Sequence, residues 1–153
     1  MAEILGVPPV PQTLRANFQK LAWEFISQPD GPERLARRLL EIARGKNSPR
    51  ILIDGLRQRA TLENLRRLAH DTKIGIIFVH TPADLAFTFY AERIEHGASM
   101  DEFLSVRSAP VEAEVEGLIA MADAVLYNWT GRLQYRETIQ TLMEELGIPE
   151  VIS

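Results

Sequence analysis

Residues 50–80 read RILIDGLRQRATLENLRRLAHDTKIGIIFVH, and this stretch decides the fold class. Ile51-Leu52-Ile53 is a short apolar run ending at Asp54-Gly55. Its length and β-branching predict a buried strand. Thr61 is placed to cap a helix carrying Leu62, Leu65 and Leu68. Ile74 to Val79 is the clearest strand, apolar almost throughout, and is predicted to be covered on both faces. A strand, a helix and a second strand in this order predict a parallel sheet with a right-handed crossover.

The pattern continues on both sides. Upstream, Leu14, Phe18, Leu21, Ala22, Phe25 and Ile26 recur at helical spacing between Gln12 and Gln28, and Pro29 ends that helix. Asp30 and Glu33 make a capping-box pattern with Pro32 in the first turn, predicting a second helix through Leu35, Leu39, Leu40 and Ile42 that stops near Gly45. Downstream, Pro82 opens a helix through Leu85, Phe89 and Ile94, and Ser99 with Glu102 forms another capping box. Pro110 opens a helix with Val111, Val115, Leu118 and Ile119. Ala124 to Tyr127 is predicted as the third strand. A last helix runs from about Leu133 to Leu146, ended by Gly147 and Pro149. The whole chain, 1–153, is read as one α/β domain: an extended lead-in over 1–10, a helical segment over 11–46 and a β-α core over 49–147. It is a three-layer α/β/α arrangement with a short parallel sheet of about three strands, few for a sheet covered on both faces.

Composition excludes several classes of function. The 153 residues are 46% hydrophobic and 25% charged, ordinary for a globular domain with its own core. A net charge of -4, with Lys and Arg scattered, gives no general attraction to nucleic acid or anionic membrane. Without cysteine there is no disulfide framework, thiol nucleophile or cysteine metal site. The start, MAEILGVPPVPQ, lacks the basic and apolar regions of a signal peptide. No run approaches the roughly 18 apolar residues of a membrane span. A cytoplasmic protein is expected.

Asp54-Gly55-Leu56-Arg57 carries the chemistry. In open α/β sheets, ligands bind at the carboxyl ends of the strands, where this turn is predicted to stand. A carboxylate there holds magnesium through water or accepts a proton from a phosphoryl acceptor. Gly55 permits a tight turn, and the Arg57 fork matches a phosphate. The competing reading is a strand-end Asp that caps the next turn, beside a surface Arg.

The stretch from Thr13 onward resembles P-loop kinases of the deoxynucleoside monophosphate kinase and dephospho-coenzyme A kinase type. The resemblance is carried in order by TLRANFQKLAWEF, DGPERLARRLLEIARG, RILIDGLRQRATLENLRRL, GIIFVHTPADL and MDEFLSVRSAPVEAEVEGLIAMADAVLYNWTGRLQYRETI. These look like the helix beginning with an Arg, the helix before the family's third strand, the Asp-Gly-x-Arg turn, the fourth strand, and the Ala-Asp step into the fifth strand with its Asn-x-x-Gly loop. By that resemblance Asp54 stands near magnesium or the acceptor, and Arg57, helped by Arg15, holds the acceptor's phosphate. Arg93 is the remaining lid arginine over the transferring phosphates. Asn128, Thr130 and Gly131 line the donor's base. The implied reaction is phosphoryl transfer from ATP with Mg2+ to a nucleotide or other phosphorylated small molecule.

Two departures weaken that activity. No G-x-x-x-x-G-K-[ST] occurs, so the backbone cradle and lysine for the β and γ phosphates are absent from these residues. Losing one preorganised donor costs on the order of 100-fold in rate. The helix after the fourth strand reads DLAFTFYAER, with Ala86 and Phe89 where the family places arginines. In the family a strand leading into the P-loop lies between those matching 51–54 and 74–79. Its absence predicts a gap that the chain closes, that a partner or second copy fills, or that marks a fragment of a longer protein. The alternatives are therefore a nucleotide-binding remnant of a kinase, a non-catalytic assembly module on a degenerate kinase scaffold, and an unrelated α/β domain.

Other residues were weighed alike. His70, His80 and His96 have no metal-ligand spacing. His80, at a strand's carboxyl end, either touches a substrate or is an ordinary strand-end polar group. Glu112, Glu114 and Glu116 read as a solvated acidic face. Trp23 and Trp129 read as packing residues.

Overall fold

The computed structural model describes residues 15–46, 48, 50–94, 97–129 and 132–147. The lead-in, His96, Thr130, Gly131 and the side chain of Arg15 lie outside the described residues.

Helix α1 (Arg15–Ile26) buries Ala22 and Ile26. The chain turns through Pro29 into α2 (Gly31–Arg44). At Gly31 a Cβ would fall on the carbonyl oxygen of Phe25, so only glycine lets the two helices join this closely. The Arg34 guanidinium lies over the Phe25 ring, 4.9 Å from its centre, and closes the same corner. α2 packs on α3 (Arg59–Leu68). Leu35 and Ala36 meet this layer from one side, and Leu62, Leu65 and Ala69 are buried on the other. Burying one such leucine contributes about 1.5–3 kcal/mol. Glu33 ties the layer at its surface, 2.6 Å from Arg37 on its own helix and 2.9 Å from Arg67 across it.

The sheet among the described residues has two parallel strands, β1 (Ile77–His80) and β2 (Ala124–Tyr127), with Ile77 beside Ala124 and His80 beside Tyr127. Asp123 pins its amino end. The Asp123 carboxylate accepts the Ile76 N–H at 2.7 Å, and the Asp123 N–H donates to the Ile76 carbonyl at 2.9 Å. The carboxyl end is closed by the Asn128 N–H, which donates to the His80 carbonyl at 2.8 Å.

Between the strands run α4 (Ala83–Ala91), α5 (Met100–Arg107) and two 3-10 segments, Pro110–Glu112 and Glu116–Met121. The capping box at Ser99 and Glu102 is formed as expected. α4 packs on α5 through Phe87 and Tyr90 against the Phe103 ring. α6 (Arg132–Glu145) follows β2 and packs on it. No helix among the described residues is long and apolar enough to cross a membrane.

Six expectations are corrected. Ile51–Ile53 is not a strand: the segment is irregular, and Leu52 is 90% exposed. A strand needs partners for its backbone groups, and this run finds none among the described residues. The sheet therefore has two strands rather than three, and β1 is not covered on both faces, with Ile77 and Val79 exposed. Thr61 does not cap α3; the helix begins two residues earlier after Gln58, and Thr61 is buried in its first turn. Asp30 and Glu33 form no capping box, because Asp30 has helical backbone angles and Glu33 is engaged by the two arginines. The helix expected from Pro110 is two 3-10 pieces joined by a turn.

Candidate functional site

The carboxyl end of the two strands gathers several of the expected residues. His80 ends β1 and Tyr127 ends β2, with ring centres 5.6 Å apart, edge to face. Trp129 continues the row, 5.4 Å from Tyr127. Tyr127 and Trp129 are exposed, so Trp129 is not the packing residue expected; Trp23 is exposed as well. Between Tyr127 and Trp129 in the chain Asn128 is buried, and its side-chain Oδ1 has no hydrogen-bond partner among the described residues. A buried amide oxygen left unpaired costs about 1–3 kcal/mol. Sites that bind a ligand keep such atoms, because the ligand supplies the partner.

Asp54 lies near enough to Tyr135 of α6 for its charge to act on that hydroxyl. Tyr135, in the helix's first turns, has its hydroxyl pushed above the ordinary value of 10.0, first by burial and then by the negative charge of Asp54. Asp54 itself is exposed, with no hydrogen bond or ion pair to a described residue.

Gly55 has φ +80°, the left-handed conformation that glycine adopts without a Cβ penalty. That turn brings the Gly55 carbonyl to Arg57, whose Nη1 donates to it at 3.3 Å. On its other side the Arg57 Nε–H donates to Glu112 Oε2 at 2.6 Å, a charge-assisted bond. Gln19 of α1 donates to the second Glu112 oxygen at 3.1 Å, and Gln58, buried, donates to the Val111 carbonyl at 3.2 Å. The Arg59 N–H, at the start of α3, donates to Glu114 Oε2 at 3.0 Å. Glu116 pairs with Arg107 at 3.2 Å.

Sequence reasoning missed this network. Glu112, Glu114 and Glu116 do not form one solvated face: Glu112 is largely buried on Arg57, and each of the three takes a different partner. The signal was present in the spacing. On a helix, residues two apart point to nearly opposite sides, so an i, i+2, i+4 set cannot share a face.

Arg93 lies just past α4, exposed, with no partner among the described residues. Ala86 and Phe89 are half-buried in the helix that packs on α5. No group of three or more His, Cys, Asp or Glu among the described residues is placed to hold a metal ion. Asp54 by itself is not a magnesium cage.

The comparisons with known proteins are sparse. No protein-family model matches the chain, and no solved structure matches it. A UPF0200 protein from Thermococcus gammatolerans is 30% identical to it over 103 residues, 66% of this chain and 54% of the relative. The chain thus spans about half the length of that curated relative.

Proposed function

We propose that this chain is a nucleotide-kinase-like domain that recognises a phosphorylated small molecule, with Arg57 as the phosphate-binding residue and Asn128 as the base-facing one. The observation that carries the reading is the buried Oδ1 of Asn128, unpartnered among the described residues, at the carboxyl end of a parallel strand pair that also carries an exposed row of aromatic rings. That edge is where α/β sheets bind ligands. The similarity to a UPF0200 protein, of a family generally of the P-loop NTPase type, supports the same class. Asp54 and Arg57 form the acceptor side, with Arg15 and His80 as helpers. Arg93 belongs to the donor side, with Thr130 and Gly131 beside Asn128. Magnesium and ATP enter this reading only with a glycine-lysine loop supplied from elsewhere, and phosphoryl transfer by these residues alone is not expected.

Calorimetry with ATP and a panel of nucleoside monophosphates tests it. A monophosphate is expected to bind. Arg57→Ala should weaken it about tenfold or more, the value of a lost charge-assisted hydrogen bond. No binding by the unaltered chain, or equal binding by the variant, defeats the reading.

A second reading has its own support. The β1 carbonyls that accept from β2's side belong to Ile76 and His80, so the backbone groups of Ile77 and Val79 point to the other edge, which has no partner among the described residues. With Leu52 exposed in the strand-like run 51–53, this edge fits an assembly module whose sheet another chain or a second copy completes. Molar mass in solution separates the two. Self-association that Val79→Lys abolishes supports assembly through a second copy, and a monomer that adds no strand from any partner removes it.

A further inference from the structure

The residue read here as the phosphate-binding arginine is already engaged, and its partner is an anion from the same chain. Glu112 places one carboxylate oxygen 2.6 Å from the Arg57 Nε. Two residues on, Glu114 places another 3.0 Å from the Arg59 N–H, at the positive end of α3. Arginine forks and helix amino ends are the two features that most readily take phosphate. Both are filled by carboxylates from one short stretch, the end of Pro110–Glu112 and the turn that follows.

We propose that this acidic segment is an internal stand-in for the ligand's phosphate, so that binding at Arg57 requires Glu112 and Glu114 to leave. The proposal rests on the reading of Arg57 given above.

The build of the segment suits an exchange. Val111 and, further on, Leu118 are buried and anchor it at two points. Between them the backbone is held by short-range bonds of the 3-10 type: Ala113 N–H to the Pro110 carbonyl at 3.2 Å, Val115 N–H to the Glu112 carbonyl at 3.1 Å. These are weaker than α-helical bonds and span few residues. Ala113 and Glu114 are exposed. The carboxylates can therefore swing off while Val111 and Leu118 stay packed. The groups left behind are the Arg57 Nε–H and the Arg59 N–H, without acceptors, and the Gln19 amide, which keeps only the Val106 carbonyl at 3.3 Å. A phosphate monoester brings three free oxygens and nearly two negative charges on one group, about what the two carboxylates together supply to these donors.

The test uses the full chain and two probes, inorganic phosphate and adenosine 5′-monophosphate. Calorimetry compares the unaltered chain with E112Q/E114Q, which keeps the side-chain shape and removes both charges. The double variant is expected to bind a probe about tenfold tighter, the fold-change of one charge-assisted hydrogen bond no longer in competition. Adding Arg57→Ala to it should abolish the gain. In the unaltered chain, amide hydrogen exchange at residues 112–116 should quicken as the probe saturates. This second readout decides the matter if the double variant does not fold. Equal affinity in the two proteins, with exchange unchanged, overturns the competition while leaving Arg57 as a phosphate residue, provided Arg57→Ala still weakens binding. No binding by any of the proteins overturns both.

Discussion

The Arg57–Glu112 pair joins the turn after residues 51–55 to the segment before β2, and its strength can be worked out from its setting. The guanidinium side chain is 38% exposed and the carboxylate 16%, at an Nε–Oε2 distance of 2.6 Å. At an effective dielectric of about 20, opposite charges about 4 Å apart attract by roughly 4 kcal/mol before desolvation. Fully exposed pairs retain about 0.2–1 kcal/mol of this. Breaking a fully buried one costs about 3–5 kcal/mol. The pair lies between these limits, and Gln19 orients the carboxylate from its other oxygen, so we expect a coupling energy of about 1.5 kcal/mol. The assay is a double-mutant cycle of Arg57→Ala and Glu112→Ala by urea unfolding. Arg57→Ala should be the costlier single change, because it leaves the less exposed partner, the Glu112 carboxylate, without its counter-charge, whereas on Glu112→Ala the Gln19 amide keeps the Val106 carbonyl. For a domain of this size the coupling corresponds to about 3–6 °C in Tm. A coupling below about 0.5 kcal/mol is the additivity of residues that do not touch. That result would refute the argument and take the stand-in role of Glu112 with it.

Three further outcomes are expected. Gly31→Ala should destabilise the domain by more than about 2 kcal/mol in denaturant unfolding, since the new methyl meets the backbone of Phe25 and Ile26 and not a side chain that can move aside. The Glu33 carboxyl is held below its ordinary 4.5, chiefly by the Arg37 hydrogen bond, with the Arg67 charge adding to it; a lowered carboxyl stabilises the fold above 4.5 and loses that contribution as pH falls through the folded value, so Arg37→Ala should raise the Glu33 pKa in an NMR titration and flatten the acid limb of stability. Asp54→Asn should lower the Tyr135 pKa part of the way back towards 10.0 in an ultraviolet titration, leaving the larger effect of burial in place.

The parts of the fold that can be read from sequence are those whose partners lie nearby in the chain. Ser99 and Glu102 satisfy one another within one helical turn, so four residues suffice to recognise the box. Ala124–Tyr127 is an apolar run short enough to read as a strand, and Asp123 announces its start. Ile51–Ile53 has the same local signature and forms no strand, because a strand also needs a neighbour, and a neighbour is not a local property. The same limit explains the capping box that fails at Asp30. Its sequence spacing is right, but Glu33 is drawn to Arg37 one turn on and to Arg67 on another helix, and only the second partner is beyond local reading.

The site was legible in unequal measure for the same reason. His80 follows from a strand end and Asn128 from the resemblance of its Asn-x-x-Gly loop, and both stand at the carboxyl edge. Arg57 was identified as one of two things, a phosphate arginine or a surface arginine, and its geometry fits neither in simple form. It is anchored by Gly55 within its own turn and by Glu112 fifty-five positions away. A surface arginine would not need a largely buried carboxylate, itself oriented by Gln19 from a third element. A half-buried guanidinium needs an acceptor, because leaving one without is costly. Glu112, in an acidic run unremarkable by composition, supplies it, and the proposed phosphate role of Arg57 is argued from that contact.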